Sequence, residues 1–173
     1  DFETFPEYAR ECINILGITN IRVIEKIRKS IDKIYPIIRG LDDSVVRQAI
    51  ATSVLGGWSM LIPSVAPNIE LLREYDRNLL SMNAQRDGGA LPDWARGIAE
   101  YPYVRADEFD LILLDGVQRG WFDSAQLRSA AEATQEIIRA ESRDNSFVAA
   151  WEEKFHGSLA VEDEEFFAAL YTG

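Results

Sequence analysis

The chain has 173 residues, of which 47% are hydrophobic and 27% are charged, as in an ordinary globular protein. One cysteine and one histidine exclude an intramolecular disulfide framework and argue against a cysteine–histidine zinc site. The net charge of −11 is uneven: residues 100–173 carry 16 acidic and 6 basic side chains, whereas residues 1–62 are neutral overall. A general nucleic-acid binder needs a basic face, which the acidic C-terminal half does not offer.

The chain shows no signal for export or for a membrane. No run approaches the roughly 20 apolar residues that cross a bilayer, and no basic, apolar leader precedes the first helical pattern. A single thiol fits a reducing compartment, so we expect a cytoplasmic protein without a membrane partner. Because the chain begins with Asp1 and not with Met, we expect it to be cut from a longer protein.

The first helix is predicted from a capping box at the N-terminus. Thr4 and Glu7 have the spacing of that motif, and the helical pattern runs to about Leu16 before Gly17 ends it. Cys12 lies inside this apolar pattern, which favours a small buried side chain over a reactive thiol.

A second helix is predicted to begin after Thr19 or Asn20 and to close at Gly40, with Pro36 kinking or ending it. Isoleucines recur three and four residues apart, and this helical spacing outweighs their preference for strands. The predicted inward stripe is Ile21, Ile24, Ile27, Ile31, Ile34 and Ile38.

A third helix is predicted over 44–61 with Gly56-Gly57 inside it. Each glycine costs a helix about 1 kcal/mol, so we expect a kink or close packing against another helix. A fourth helix is predicted over 68–83. Its expected inward residues are Ile69, Leu72, Tyr75 and Leu79.

The stretch QRDGGALPD, residues 85–93, is the best internal boundary because it is polar, rich in glycine and ended by proline. It suggests one helical subdomain over 1–84, which contains the basic helix 20–39, and an acidic helical subdomain over 94–173. A short helix is predicted around 94–100.

From Asp107 onward the pattern predicts a helix pair. The first helix ends at Gly120, and the second runs from Asp123 to about Ser142. Further short helices are predicted over 145–156 and 163–172. The fold class is therefore all-α, with about eight helices in an irregular bundle.

The stretch FDLILLDGV, residues 109–117, invites a different interpretation. An apolar strand ending in Asp holds magnesium in P-loop NTPases, but that function requires a G-x-x-x-x-G-K-[ST] phosphate loop, which these 173 residues lack. The helical interpretation is therefore preferred, with Asp115 as a solvated helix residue. Among the other chemistry-bearing residues, His156 is interpreted as structural, and the acidic run 162–165 as a helix N-terminus.

One helix carries most of the cations of the N-terminal half. Arg22, Lys26, Lys29 and Lys33 follow four, three and four residues apart and share one face. The face is either solvated or paired with the acidic C-terminal half of the chain. Arg22 stands out because it lies in the first helical turn, where free N–H groups and the helix dipole favour anions. An arginine adds a bidentate donor for phosphate at that position.

The stretch NIRVIEKI, preceded by FPEYARECINILGIT, resembles the start of the helical lid in AAA+ and KAP-like bacterial P-loop NTPases. A Gly-aromatic-x-Asp turn, GWFDSAQL at 120–127, is similar to the C-terminal helical parts of such proteins. Asn20 and Arg22 match the lid pattern, so the resemblance implies that Arg22 senses the γ-phosphate of ATP. The candidate nucleotide-phosphate contacts are Arg22, Asn20 and Lys26. The chain alone is then not expected to hydrolyse ATP, and ATP and Mg would belong to a nucleotide-binding core preceding Asp1.

Two alternatives remain open at this stage. The chain can be a free-standing helical protein-interaction module without a nucleotide role, whose basic helix binds an acidic partner or the chain's own C-terminal half. A helix-turn-helix DNA binder over 107–138 is disfavoured, because acidic residues alternate with the arginines of its second helix.

Overall fold

The computed structural model describes residues 4–78 and 93–143. Over these residues the chain forms seven helices, has two further helical residues at 77–78, and contains no strand, only an isolated bridge between Asp76 and Arg105. The all-α prediction is confirmed. None of the described helices has the length and apolar character that crossing a bilayer requires. The helices are α1 (Thr4–Ile15), α2 (Ile21–Ile38), α3 (Asp43–Leu61), α4 (Ile69–Arg73), α5 (Asp93–Ala99), α6 (Glu108–Arg119) and α7 (124–143).

The chain divides into two compact units, Asp1–Gln135 and Glu136–Gly173. Of the second unit, the described residues are 136–143, which are helical and include an ion pair between Arg139 and Glu136 at 3.4 Å. The predicted boundary at 85–93 falls almost wholly outside the described residues and stays a prediction. The helices predicted over 145–156 and 163–172, His156 and the acidic run 162–165 lie outside them too.

Helix α3 is the centre of the first unit. Every residue from Ala49 to Ser59 is buried, because α1, α2, α4 and α6 all pack against this one helix. A Cβ built on Gly57 would lie 2.5 Å from Ile27 Cγ1, and one built on Gly56 would lie 3.0 Å from Leu114 Cδ2. The two glycines therefore let α2 and α6 approach α3 closely, which confirms the close packing predicted for them.

The inward face of α2 differs from the prediction at its first residue. The buried positions are Val23, Ile27, Ile31, Ile34 and Ile38, whereas Ile21 is 73% exposed. Two successive three-residue steps rotate a position by about 120° around a helix, so Ile21 points away from the face that Ile27 occupies. Ile24, between them, is half-buried.

The fourth predicted helix is wrong as a single element over 68–83. Asn68 caps α4, but the helix ends at Arg73, and the backbone of the following residues pairs with another segment. The Arg77 N–H donates to the Val104 carbonyl at 2.9 Å, and the Ala106 N–H donates to the Tyr75 carbonyl at 3.3 Å. Helical periodicity does not reveal a pairing between segments so far apart in the chain. Leu79 lies outside the described residues.

The helix pair predicted from Asp107 is confirmed where it is described. Asp107 and Asp110 form a capping box at the start of α6, and Gly120 ends this helix in the left-handed conformation at φ 76°. The Asp123 carboxylate accepts the backbone N–H groups of Ala125 and Gln126 at the start of α7. The stretch 109–117 is therefore helix and not strand.

Candidate functional site

The basic face predicted on α2 exists in the structure. Arg22, Lys26, Lys29 and Lys33 are all exposed, on the side of α2 away from its buried residues. The Lys33 ammonium donates to the Gly120 carbonyl at 2.7 Å, which ties this end of the face to the C-terminus of α6. The other three cations have no hydrogen bond or ion pair to the described residues, so the structure leaves them accessible to a ligand.

Asn20 acts as the cap of this helix. Its side-chain oxygen accepts the backbone N–H of Arg22 at 3.0 Å, and its backbone carbonyl accepts the Ile24 N–H at 3.0 Å. The backbone N–H of Arg22 is therefore not free, contrary to what its place in the first turn suggested. An anion at this helix end would be bound by the Arg22 side chain and the helix dipole.

The guanidinium of Arg22 contrasts with several other arginines of the fold. Arg28 pairs with Asp32 at 3.2 Å on the same helix, and Arg47 pairs with Asp43 at 2.6 Å on α3. The Arg73 guanidinium contacts the Asp115 carboxylate across the α4–α6 contact. Asp115 is therefore not the solvated residue that the sequence suggested, because α4 brings Arg73 against it. Arg22 has no such contact within the described residues.

A groove runs beside the basic face, between α2, α3 and α6, with a volume of about 270 Å³. Its apolar surface includes Met60, which is 41% exposed, and Val117. Lys26, Lys29 and Lys33 stand on its α2 side. This basic groove combines positive charge with an apolar floor and is a place where an anionic, partly apolar ligand can bind.

A second cleft, of about 410 Å³, lies where the N-terminal ends of α3 and α6 meet. Asp110 lines it but is 2% exposed, and its carboxylate accepts the Thr52 hydroxyl and the Asp107 N–H. Gln48 donates to the Asp107 carboxylate at 2.8 Å. Sequence reasoning missed this cluster, although the Asp-x-x-Asp spacing is that of a capping box.

Burial, together with the negative charge of the nearby Asp107, raises the pKa of Asp110 from 3.8 to about 7. Hydrogen bonds from Thr52, Asp107 and Gln48 oppose this effect. Both carboxylate oxygens of Asp110 have partners within the fold. This arrangement joins α6 to α3 and caps α6, which is a structural role.

The remaining chemistry-bearing residues do not assemble a further centre in the described parts of the chain. Cys12 is buried, as predicted, and desolvation raises the pKa of its thiol, which keeps it protonated and unreactive. Residues 4–78 and 93–143 contain no group of three or more His, Cys, Asp or Glu side chains able to hold a metal.

The first of the α7 arginines that the DNA-binding alternative invoked is engaged within the fold. Arg128 donates to the carbonyls of Ile37 and Arg39 at the C-terminal end of α2, and it pairs with Glu132 at 2.7 Å. It is therefore occupied with holding α7 against α2, which weighs against the DNA-binding alternative.

Comparisons with protein-family models, with curated proteins and with solved structures find no match to this chain. The resemblance to NTPase lids therefore stays a prediction from the sequence around Asn20 and Arg22.

Proposed function

We propose that this chain is a non-catalytic helical lid and accessory region of a P-loop NTPase, in which Arg22 contacts the γ-phosphate of ATP. A nucleotide-binding core outside these residues would hold the ATP and its magnesium. The observation that carries the proposal is the Arg22 guanidinium, which is exposed at the start of a capped 18-residue helix and has no partner among the described residues.

The surroundings of Arg22 fit a phosphate. Lys26 lies one turn further along the same exposed face and adds a second positive charge. The N-terminal end of the helix dipole adds a partial positive charge. Asn20 supports this arrangement by capping the helix, and its side-chain oxygen already accepts the backbone N–H of Arg22. Arg22 and Lys26 would therefore contact the anion, whereas Asn20 would hold the helix end in place.

The proposal is tested on the natural protein that contains these residues. It requires a phosphate loop in that protein and ATP turnover that depends on Arg22. A charge-assisted hydrogen bond contributes about 1.5–3 kcal/mol, so Arg22→Ala should slow turnover by roughly 10- to 100-fold.

Arg28→Ala is the matched control, because it removes an arginine from the same helix that is paired with Asp32. Its turnover should stay within about twofold of the wild type. Equal turnover in Arg22→Ala and the wild type would refute the proposal. So would a natural protein without a phosphate loop.

The second candidate function is a helical protein-interaction module without a nucleotide role. The basic groove favours it, because the exposed side chain of Met60 stands beside lysines that are free of ion pairs within the described residues. If this is the whole function, variants of Lys29 and Met60 should impair partner binding while Arg22→Ala has no effect.

A further inference from the structure

We propose that the basic groove is a docking site for an acidic amphipathic helix of a partner protein, which inserts an apolar side chain between the lysines of α2 and the floor formed by Met60 and Val117. This proposal goes beyond contact with a nucleotide and does not depend on it, because Arg22 is not among the residues that line the groove.

The groove is small enough to be filled by side chains of a partner. Pockets that enclose drug-sized ligands span about 300–1,000 Å³, whereas this groove has a volume of about 270 Å³. Helices that bind in grooves insert anchors spaced three or four residues apart. The groove therefore suits one or two apolar anchors of a helix that lies along α2.

The floor of the groove is fixed by the packing of the core. Gly57 allows α3 to approach Ile27 of α2, and Ile27 is 1% exposed. Met60 lies one turn further along α3, 41% exposed, and its unbranched thioether adapts to different apolar partners. The groove thus has a well-packed floor, and Met60 on its surface can adapt to a partner's side chain.

The charge around the groove selects an acidic partner. Lys26 and Lys29 have no hydrogen bond or ion pair with the described residues, so a partner's carboxylates displace no ion pair between these lysines and that part of the chain. Lys33 is held by the Gly120 carbonyl and keeps its positive charge beside the groove. A basic partner would be repelled by all three lysines.

The probe is a fluorescein-labelled helical peptide of about 16 residues, long enough to form a helix on its own. It carries leucines three and four residues apart with glutamates beside them. One control peptide replaces the leucines with alanine, and a second replaces the glutamates with lysine. Fluorescence anisotropy with the 173-residue chain should show saturable binding of the first peptide, and each control should bind at least about tenfold more weakly.

Protein variants locate the binding site. Met60→Glu and Lys29→Glu should each weaken binding of the acidic peptide by about tenfold or more. Their matched controls are Leu71→Glu, which changes an equally exposed apolar residue of α4, and Arg28→Glu, which changes a neighbouring cation outside the groove. Both controls should bind like the wild type, and far-UV circular dichroism of all four variants verifies folding.

Three results would overturn the proposal. These are no saturable binding of the acidic peptide, equal binding of the alanine-substituted peptide, or binding that folded Met60→Glu and Lys29→Glu leave unchanged. Failure of the nucleotide contact is a separate result, because it is measured by ATP turnover in Arg22→Ala, a variant that should bind the peptide normally.

Discussion

Replacement of Gly57 by alanine tests the packing of α2 on α3. The added Cβ would lie 2.5 Å from Ile27 Cγ1 and 3.2 Å from its Cδ1, whereas carbon atoms in contact normally lie about 3.5–4.0 Å apart. Ile27 is 1% exposed and belongs to the main core, so this steric clash can be relieved only if α2 and α3 move apart.

The expected magnitude is a balance of two effects. Overpacking a core costs about 1–3 kcal/mol, whereas replacing glycine by alanine inside a helix gains about 0.5–1 kcal/mol. We expect Gly57→Ala to lower the free energy of unfolding by about 1–2 kcal/mol. At Gly97 a Cβ would meet, among the described residues, only Trp58 Cη2 at an ordinary 3.8 Å, so Gly97→Ala should be neutral or stabilising.

Urea unfolding followed by circular dichroism measures these differences. A cycle with Ile27→Ala isolates the clash, because removing the isoleucine leaves room for the new methyl group. The double variant should be more stable than the sum of the single effects predicts, by at least about 0.5 kcal/mol. The packing argument fails if Gly57→Ala is as stable as Gly97→Ala, or if the cycle shows no coupling.

Three further predictions concern the polar contacts. Because burial raises the pKa of Asp110 to about 7, the folded state binds more protons than the unfolded state, and the contribution of Asp110 to stability falls as pH rises from about 4 to about 7. Asp110→Asn should remove that fall in urea titrations across this pH range. An unchanged pH profile of stability in Asp110→Asn would contradict this prediction. Arg77 donates to the carbonyls of Ile98 and Tyr103 at 3.2 and 3.1 Å, so Arg77→Ala should lower the free energy of unfolding by about 2–4 kcal/mol in the same urea assay. A decrease below about 1 kcal/mol would show that these hydrogen bonds do not hold residues 98–103 in place. Asn20→Ala should lower stability by about 1 kcal/mol through loss of the helix cap, whereas Arg22→Ala, at an exposed position, should change stability by less than about 0.5 kcal/mol. Thermal melting distinguishes the two variants, and a large loss of stability in Arg22→Ala would indicate a structural role for Arg22.

Local patterns predicted most of the helices but not the contacts between them. The caps and end signals at Asn20, Gly40, Asp107 and Gly120 act on their own neighbours in the chain, so they can be recognised without tertiary information. Gly56-Gly57 pointed to close packing because two glycines in a helix interior need a compensating contact.

The errors come from long-range contacts. The break after Arg73 arises from pairing with the segment around Val104, and the burial of Asp110 arises from Thr52 of another helix. Neither contact leaves a periodic signal in the sequence. The basic face of α2 could be predicted from spacing alone, but the groove beside it could not, because Met60 and Val117 come from two other helices.

The most direct test of the proposed function compares two nucleotides. A residue that contacts the γ-phosphate strengthens binding of ATP but not of ADP, because ADP lacks that group. With the natural protein and a non-hydrolysable ATP analogue, Arg22→Ala should weaken binding of the analogue by roughly 10- to 100-fold and leave ADP affinity unchanged. Arg28→Ala should leave both affinities unchanged. Equal losses for the two nucleotides, or no loss for either, would contradict a γ-phosphate contact at Arg22.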